Sequence, residues 1–294
     1  MLTLSDRRKN RARLHRLWQR LWQDKFALLS IVYLVFVLVA SVFAGQLAPY
    51  DPLDQDLANR LLAPGTAGHL LGTDALGRDV LSRMMHGARL SLFIGFTGVV
   101  VAMALGVTLG TVAGYLRGIT DTLVSRIVDV QMAFSSLLLI MLLVVMIGPG
   151  VLTLILVFGF ATWVVHARVA RAATLSLREI EFVEASRAIG TTNASIMISH
   201  ILPNLASTII SIGVLEMAHL MVAEATLSFL GFGVQPPSIT WGLMIAEGRD
   251  YIVHAWWLVT FPGLAIAFTV IAVSMLGVWL RAISDPFQRQ LMGR

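Results

Sequence analysis

Residues 184–203 read EASRAIGTTNASIMISHILP, from Glu184 to Pro203. This 20-residue amphipathic stretch lies between two long apolar segments, and the rest of the chain is organised around it. Phe182, Ala185 and Ile189 share one helical face, so Glu184 opens or continues a short amphipathic helix. Gly190 can take the left-handed backbone that stops such a helix. Thr191, Thr192 and Asn193 then offer caps for a second short helix. Pro203 suits the first turn of the following segment, where its missing N–H costs nothing. The stretch predicts a helix–turn–helix knob at a membrane surface. The plain alternative is a structured loop that merely joins two spans.

Composition sets the environment of that knob. Of 294 residues 57% are hydrophobic and only 13% charged, against roughly 25% charged in a soluble globule. This is a polytopic membrane protein. The absence of cysteine excludes disulfides, thiolate chemistry and Cys-based metal sites.

Residues 1–25 are basic, and Leu14, Leu17, Trp18, Leu21 and Trp22 recur on one helical face. That pattern predicts a cytosolic amphipathic helix lying in the interface of an anionic leaflet; two Trp on one face argue against a nucleic-acid arm. Residues 26–50 form an uncleaved first span, longer than the ~7–15 apolar residues of a signal peptide. A polar outer loop follows over 51–88, in which Thr73 or Asp74 is expected to cap a short helix and Asp79 to pair with Arg83. Residues 89–282 form a helical core with spans near 90–116, 124–147, 151–165, 204–230 and 257–280. Gly106, Gly110 and Gly114 repeat every four residues, the pattern that lets helix backbones approach closely inside one subunit. Residues 283–294 are a cytosolic tail.

Orientation follows from the basic residues. With the N-terminus inside, 17 of the 22 Lys and Arg fall on inner segments, and only Arg60, Arg78, Arg83, Arg89 and Arg249 on outer loops. Both termini and the segment 168–203 are thereby expected in the cytosol. Within the bilayer, Glu216, His219 and Glu224 lie on the fifth span and Asp129 near the inner end of the third. Ionisable groups at that depth face a cavity or a partner, so they either line a translocation path or lock helices together.

The stretch 184–203 resembles the EAA loop of ABC-importer permeases, with Glu184, Ala185, Gly190, Leu202 and Pro203 on the pattern and Ser186 and His200 as departures. LGTDALGRDVLSRMMHGARLSL (71–92), HILPN (200–204), EATLSFLGFGVQPP (224–237), Trp241-Gly242 and FPGLAI (261–266) extend the likeness over nearly the whole chain. Together they resemble the second, C-type permease subunit of the dipeptide/oligopeptide/nickel family of bacterial ABC importers. That resemblance implies an all-α inner-membrane protein with six transmembrane helices in the type I ABC-importer fold. It implies a homologous second permease subunit, two cytosolic ATPase subunits and an extracytoplasmic substrate-binding protein as partners. Glu184, Ala185, Ser186, Arg187, Gly190, Leu202 and Pro203 would form the ATPase-coupling element. The chain itself would be non-catalytic and bind no cofactor or metal, with ATP and magnesium on the ATPases and peptides as the cargo. Two departures stand out. Ser135 replaces the Pro that the family carries after Ala133-Phe134, which puts a kink in the third span in question. The segment 277–282 lacks two acids of the family's C-terminal pattern, although Asp285-Pro286 is kept.

Two rival functions follow from the residues. A proton-coupled secondary transporter would use Glu216, His219 and Glu224. An intramembrane enzyme would need a motif such as H-E-x-x-H or G-x-S-x-G, and none occurs. Nor is there a P-loop: the only lysines, Lys9 and Lys25, do not follow Gly.

Overall fold

A computed structural model describes residues 24–66 and 68–284; the amphipathic helix expected within 1–25 and the tail at 285–294 lie outside the described residues, except for Asp24 and Lys25. The described architecture is helical. Helix α1 spans Lys25–Val42, with the Asp24 carboxylate accepting from the Phe26 and Ala27 amides as its cap. Helix α2 spans Val80–Leu116, α3 Gly118–Met132, α4 Ser136–Ile147 and α5 Val151–Leu177. Two short helices follow, α6 (Glu181–Ala188) and α7 (Asn193–Ile196), then α8 (Leu202–Phe229), α9 (Trp241–Gly248) and α10 (Trp257–Ser284). Among the described residues five helical stretches are long and apolar enough to cross a membrane, and α3 with α4 makes a sixth if that bent pair counts as one crossing.

The α2–α5 pair is the spine. A Cβ at Gly106, Gly110 or Gly114 would collide with the backbone of Trp163, Ala167 or Arg171 on α5. Gly159 returns the favour, for a Cβ there would strike Val101 of α2. Lipid is as apolar as leucine, so close van der Waals packing rather than water exclusion holds such a pair together. Ile94, Val99, Leu154, Val157, Phe158 and Leu220 continue this packing as the main buried cluster.

Three expectations are corrected by the structure. First, α2 begins at Val80, inside the predicted loop, because Asp79 caps it through the Ser82 amide at 2.8 Å. Thr73 and Asp74 cap no helix, Asp74 instead accepting from the Leu76 and Arg78 amides of a turn, and Asp79 does not pair with Arg83: its other oxygen meets His69 Nδ1 at 2.8 Å. Arg83 turns instead to Asp74 and to Glu247 on α9, the latter at 2.7 Å. Arg78 joins the same two carboxylates, at 2.7 and 3.1 Å. His69 thus meets Asp79, and Glu247 is joined to Asp74 through Arg78 and Arg83; no group suited to a metal ion occurs among the described residues.

Second, the bend in the third span exists without its proline. Helices α3 and α4 meet at 90°, with Ser135 extended (φ −64°, ψ 126°) between them. The cause is an anchor on α5: Gln131 Nε2 donates to the Phe160 and Ala161 carbonyls, and Trp163 Nε1 donates to Gln131 Oε1 at 2.8 Å. Third, α5, the expected fourth span, runs on from the expected end at 165 to Leu177, carrying Arg168 and Arg171 on continuous helix.

The Asp74 cluster yields a prediction. Arg83 is 3% exposed at its side chain, so Asp74→Ala leaves a buried guanidinium short of its partner. We predict a loss of about 3–5 kcal/mol, read as a lower unfolding temperature of the purified protein in detergent. An unchanged unfolding temperature would mean that Glu247 alone balances both arginines.

Candidate functional site

The knob is built as two helical turns around a glycine stop. Ile180 is extended and starts α6; Glu181 and Glu184 stand in its first turn, where the helix dipole favours carboxylates. Gly190 has φ +82°, the Gly190 amide donates to the Arg187 carbonyl and the Thr191 amide to the Ser186 carbonyl. This paired closure is the Schellman arrangement that only a left-handed residue permits. Thr192 then caps α7, accepting from the Ser195 amide at 3.4 Å.

Pro203 stands in the first turn of α8, as expected; the addition is that α7 runs through a wide turn at Met197–Ile201 directly into α8. A proline inside continuous helix removes one amide and crowds the carbonyl four residues back; a π turn just before it relieves both.

The face of α6 that packs inward is not the one formed by Phe182, Ala185 and Ile189. Val183, Ile196 and Ile201 are fully buried against Ala170, Leu205 and Ile209. Phe182, Ala185 and Ile189 point away, and Ile189 is 82% exposed. Glu181, Glu184 and Arg187 are exposed beside them. An apolar strip with two carboxylates is thus left bare on a knob whose other side is sealed.

One residue joins the knob to the spine, and the sequence did not single it out. Tyr115, 3% exposed, ends α2. Its hydroxyl donates to Asn193 Oδ1 at 3.2 Å, the Arg187 guanidinium lies over its ring at 5.4 Å, and its carbonyl accepts from Arg178 at 2.8 Å. Both halves of the knob meet at this phenol, and the end of α5 at the backbone of the same residue. Partial burial, helped by the like charges of Arg117 and Arg187, lowers the Arg178 pKa from its ordinary value. Arg117 in turn pairs with Glu179 at 2.6 Å, and Arg171 with Asp121.

The four ionisable residues of the spans do not form one site. Asp129 is exposed at a cavity of about 730 Å³ between α3, α4 and α5, which Ser125, Arg168 and Arg171 also line. Glu216 is half-buried and His219 exposed on α8, with no hydrogen bond between them. Glu224 is 2% exposed and accepts from Ser228 and Thr240 hydroxyls, each at 2.8 Å. Thr240 is itself the cap of α9, so the Glu224 geometry is that of a lock between α8 and α9. This lock accounts for the EATLSFLGFG…TWG sequence, in which a Cβ on Gly242 would meet Glu224 and Ala225.

Comparison with known proteins decides what such a molecule is. Residues 106–290 match the family described as binding-protein-dependent transport system inner membrane component. The chain belongs to this family. Residues 13–64 match the N-terminal TM domain of oligopeptide transport permease C. The di/tripeptide transport system permease protein DppC of Pseudomonas aeruginosa is 38% identical over 275 residues, covering 92% of this chain and 90% of that one. The dipeptide transport system permease protein DppC of Escherichia coli is 41% identical over 283 residues, covering 94% of each. Among solved structures, the inward-facing MetNI methionine ABC transporter matches with a TM-score of 0.54 over 68% of this chain and 95% of that one, at 19% identity, a likeness of fold. The chain is therefore a multi-pass inner-membrane permease of the ABC-importer class, a family whose membrane subunits are non-catalytic and associate with other transporter components. These findings favour the importer reading over a proton-coupled secondary transporter.

Removing the Tyr115 hydroxyl tests the joint. Tyr115→Phe keeps the ring under Arg187 but loses the bond to Asn193, a net contribution of about 0.5–1.5 kcal/mol. Amide exchange should quicken within 191–201 and stay unchanged in α2. Unaltered exchange in the knob would show that the hydroxyl does not hold it.

Proposed function

We propose that this permease moves peptides inward, and that Glu184, Ala185, Ser186, Arg187, Gly190, Leu202 and Pro203 shape the element that couples it to ATP hydrolysis. The observation that carries the proposal is the two-sided knob: one face is locked to α2, α5 and α8 through Tyr115, Val183, Ile196 and Ile201. The other presents Ile189, and Phe182 with the His200 ring at its edge, beside exposed Glu181 and Glu184. A surface of that shape fits a groove with apolar walls and a basic rim on a cytosolic ATPase. The peptide cargo is supported by the relatives, which carry dipeptide and di/tripeptide transport names.

In this reading both termini and the knob face the cytosol, as the Lys and Arg distribution favours; Arg78 and Arg83, two of the five basic residues on the outer loops, are neutralised by Asp74 and Glu247. A homologous second permease subunit shares the pathway, two ATPases bind ATP and magnesium, and an extracytoplasmic protein delivers substrate. This chain binds no cofactor. When ATP draws the ATPases together, α6 travels with its groove and the α2–α5 spine tilts with it. Asp129, Glu216 and His219 are then the polar groups nearest a moving path, and Glu224 keeps α8 and α9 in register.

Two experiments test the reading. Glu184→Lys reverses the charge on the exposed face without touching the buried one, so membrane insertion should persist while recovery of the ATPases in a pull-down falls sharply. Full recovery and normal uptake would remove Glu184 from coupling. Reconstituted vesicles should take up peptide only when the ATPase pair and ATP are present. Uptake that needs only a proton gradient would replace the importer reading with the secondary-transporter one.

A further inference from the structure

A crevice of about 880 Å³ opens between α1, α2, α8 and α10, away from the knob and from the Asp129 cavity. Its walls are almost wholly apolar, with Leu38, Phe93, Phe96 and Met217 representative of them, and no carboxylate is among its lining side chains. Leu38, Phe93 and Phe96 are 54%, 51% and 59% exposed, so the crevice is open at its side. Its polar groups gather at the end nearest the α2 N-terminus. There Arg89 is exposed and makes no hydrogen bond or ion pair with any described residue. His86, one turn earlier, donates from Nδ1 to the Ser82 carbonyl at 2.9 Å, which leaves Nε2 for another partner.

A lone guanidinium beside a bilayer-facing apolar slot is costly unless it meets an anion, and no described residue neutralises Arg89. Arg78 and Arg83 on the neighbouring turns have their carboxylates; Arg89 does not. An acyl chain fits the slot, which runs along α1 from Val42 to Leu34, about 12 Å at the helical rise. A phosphodiester fits the cation at its end. We propose that this crevice binds an anionic phospholipid, its acyl chain between α1 and α2 and its headgroup phosphate on Arg89 and His86. The site is independent of how the knob couples to ATPases.

The test uses the assembled transporter in nanodiscs containing equal phosphatidylglycerol and phosphatidylethanolamine, with retained lipids counted by native mass spectrometry. The wild type should retain phosphatidylglycerol in preference to phosphatidylethanolamine. Arg89→Gln should reduce that preference about fivefold, and Leu38→Trp, which fills the slot from its exposed wall, should abolish retention of either lipid. Arg60→Gln, an exposed cation outside the crevice, should leave the count unchanged. Equal retention in Arg89→Gln and wild type would overturn the site. So would efficient cross-linking of Leu38→Cys, in this cysteine-free chain, to the second permease subunit, since a protein helix would then fill the slot.

Discussion

Helices α2 and α5 touch backbone to backbone because Gly106, Gly110 and Gly114 place no side chain between them. Everything else in the molecule is arranged on that contact. Had any of the three been leucine, the helices would have to separate by several ångströms, and the ends of α2 and α5 could no longer meet at Tyr115. In a bilayer such a separation is not repaired by hydrophobic collapse, since lipid fills the gap at little cost. The close pair therefore behaves as one stiff strut, and it carries the knob at its end.

The knob divides labour between its faces. Buried Val183, Ile196 and Ile201 make it an extension of the strut, while Phe182 and Ile189 remain bare beside two carboxylates. A surface loop that only connected spans would have no reason to hold Ile189 in solvent beside a sealed apolar face. The π turn before Pro203 serves the same end, because it lets α7 continue into α8 rather than hinge there. At the opposite end of α2, the Asp74–Arg78–Arg83–Glu247 cluster and the Glu224–Thr240 seam fix the polar connections to α9. In the proposed coupling, motion at one end of the strut is then transmitted rather than absorbed.

Much of this was legible in the sequence where the information is local. The glycine repeat, the stop at Gly190 and the cap at Thr192 each depend on residues within a turn or two, and the structure shows all three. What escaped depends on distant partners. Arg83 ignores Asp79, four residues away, for Glu247, separated by 164 positions. Tyr115 looks like the unremarkable end of an apolar run until Asn193, 78 residues on, is brought beside it. The bend at Ser135 is made by Gln131 gripping α5, a cause no proline rule anticipates. Helical periodicity likewise identified an apolar face on α6 but not whether it points inward, since Val183 alone suffices to anchor the helix.

The central claim is that knob and spine move as one body. The absence of cysteine allows spin labels to be placed at will, for example at Ser195 on the knob and Leu109 on α2, both exposed. Pulsed electron-spin distance measurements on the assembled transporter, with and without trapped ATP, address the claim directly. The account predicts that the 109–195 distance stays the same in both states, while a distance from residue 195 to the second permease subunit changes. A 109–195 distance that shifts with nucleotide would show a hinge at Tyr115 and contradict it.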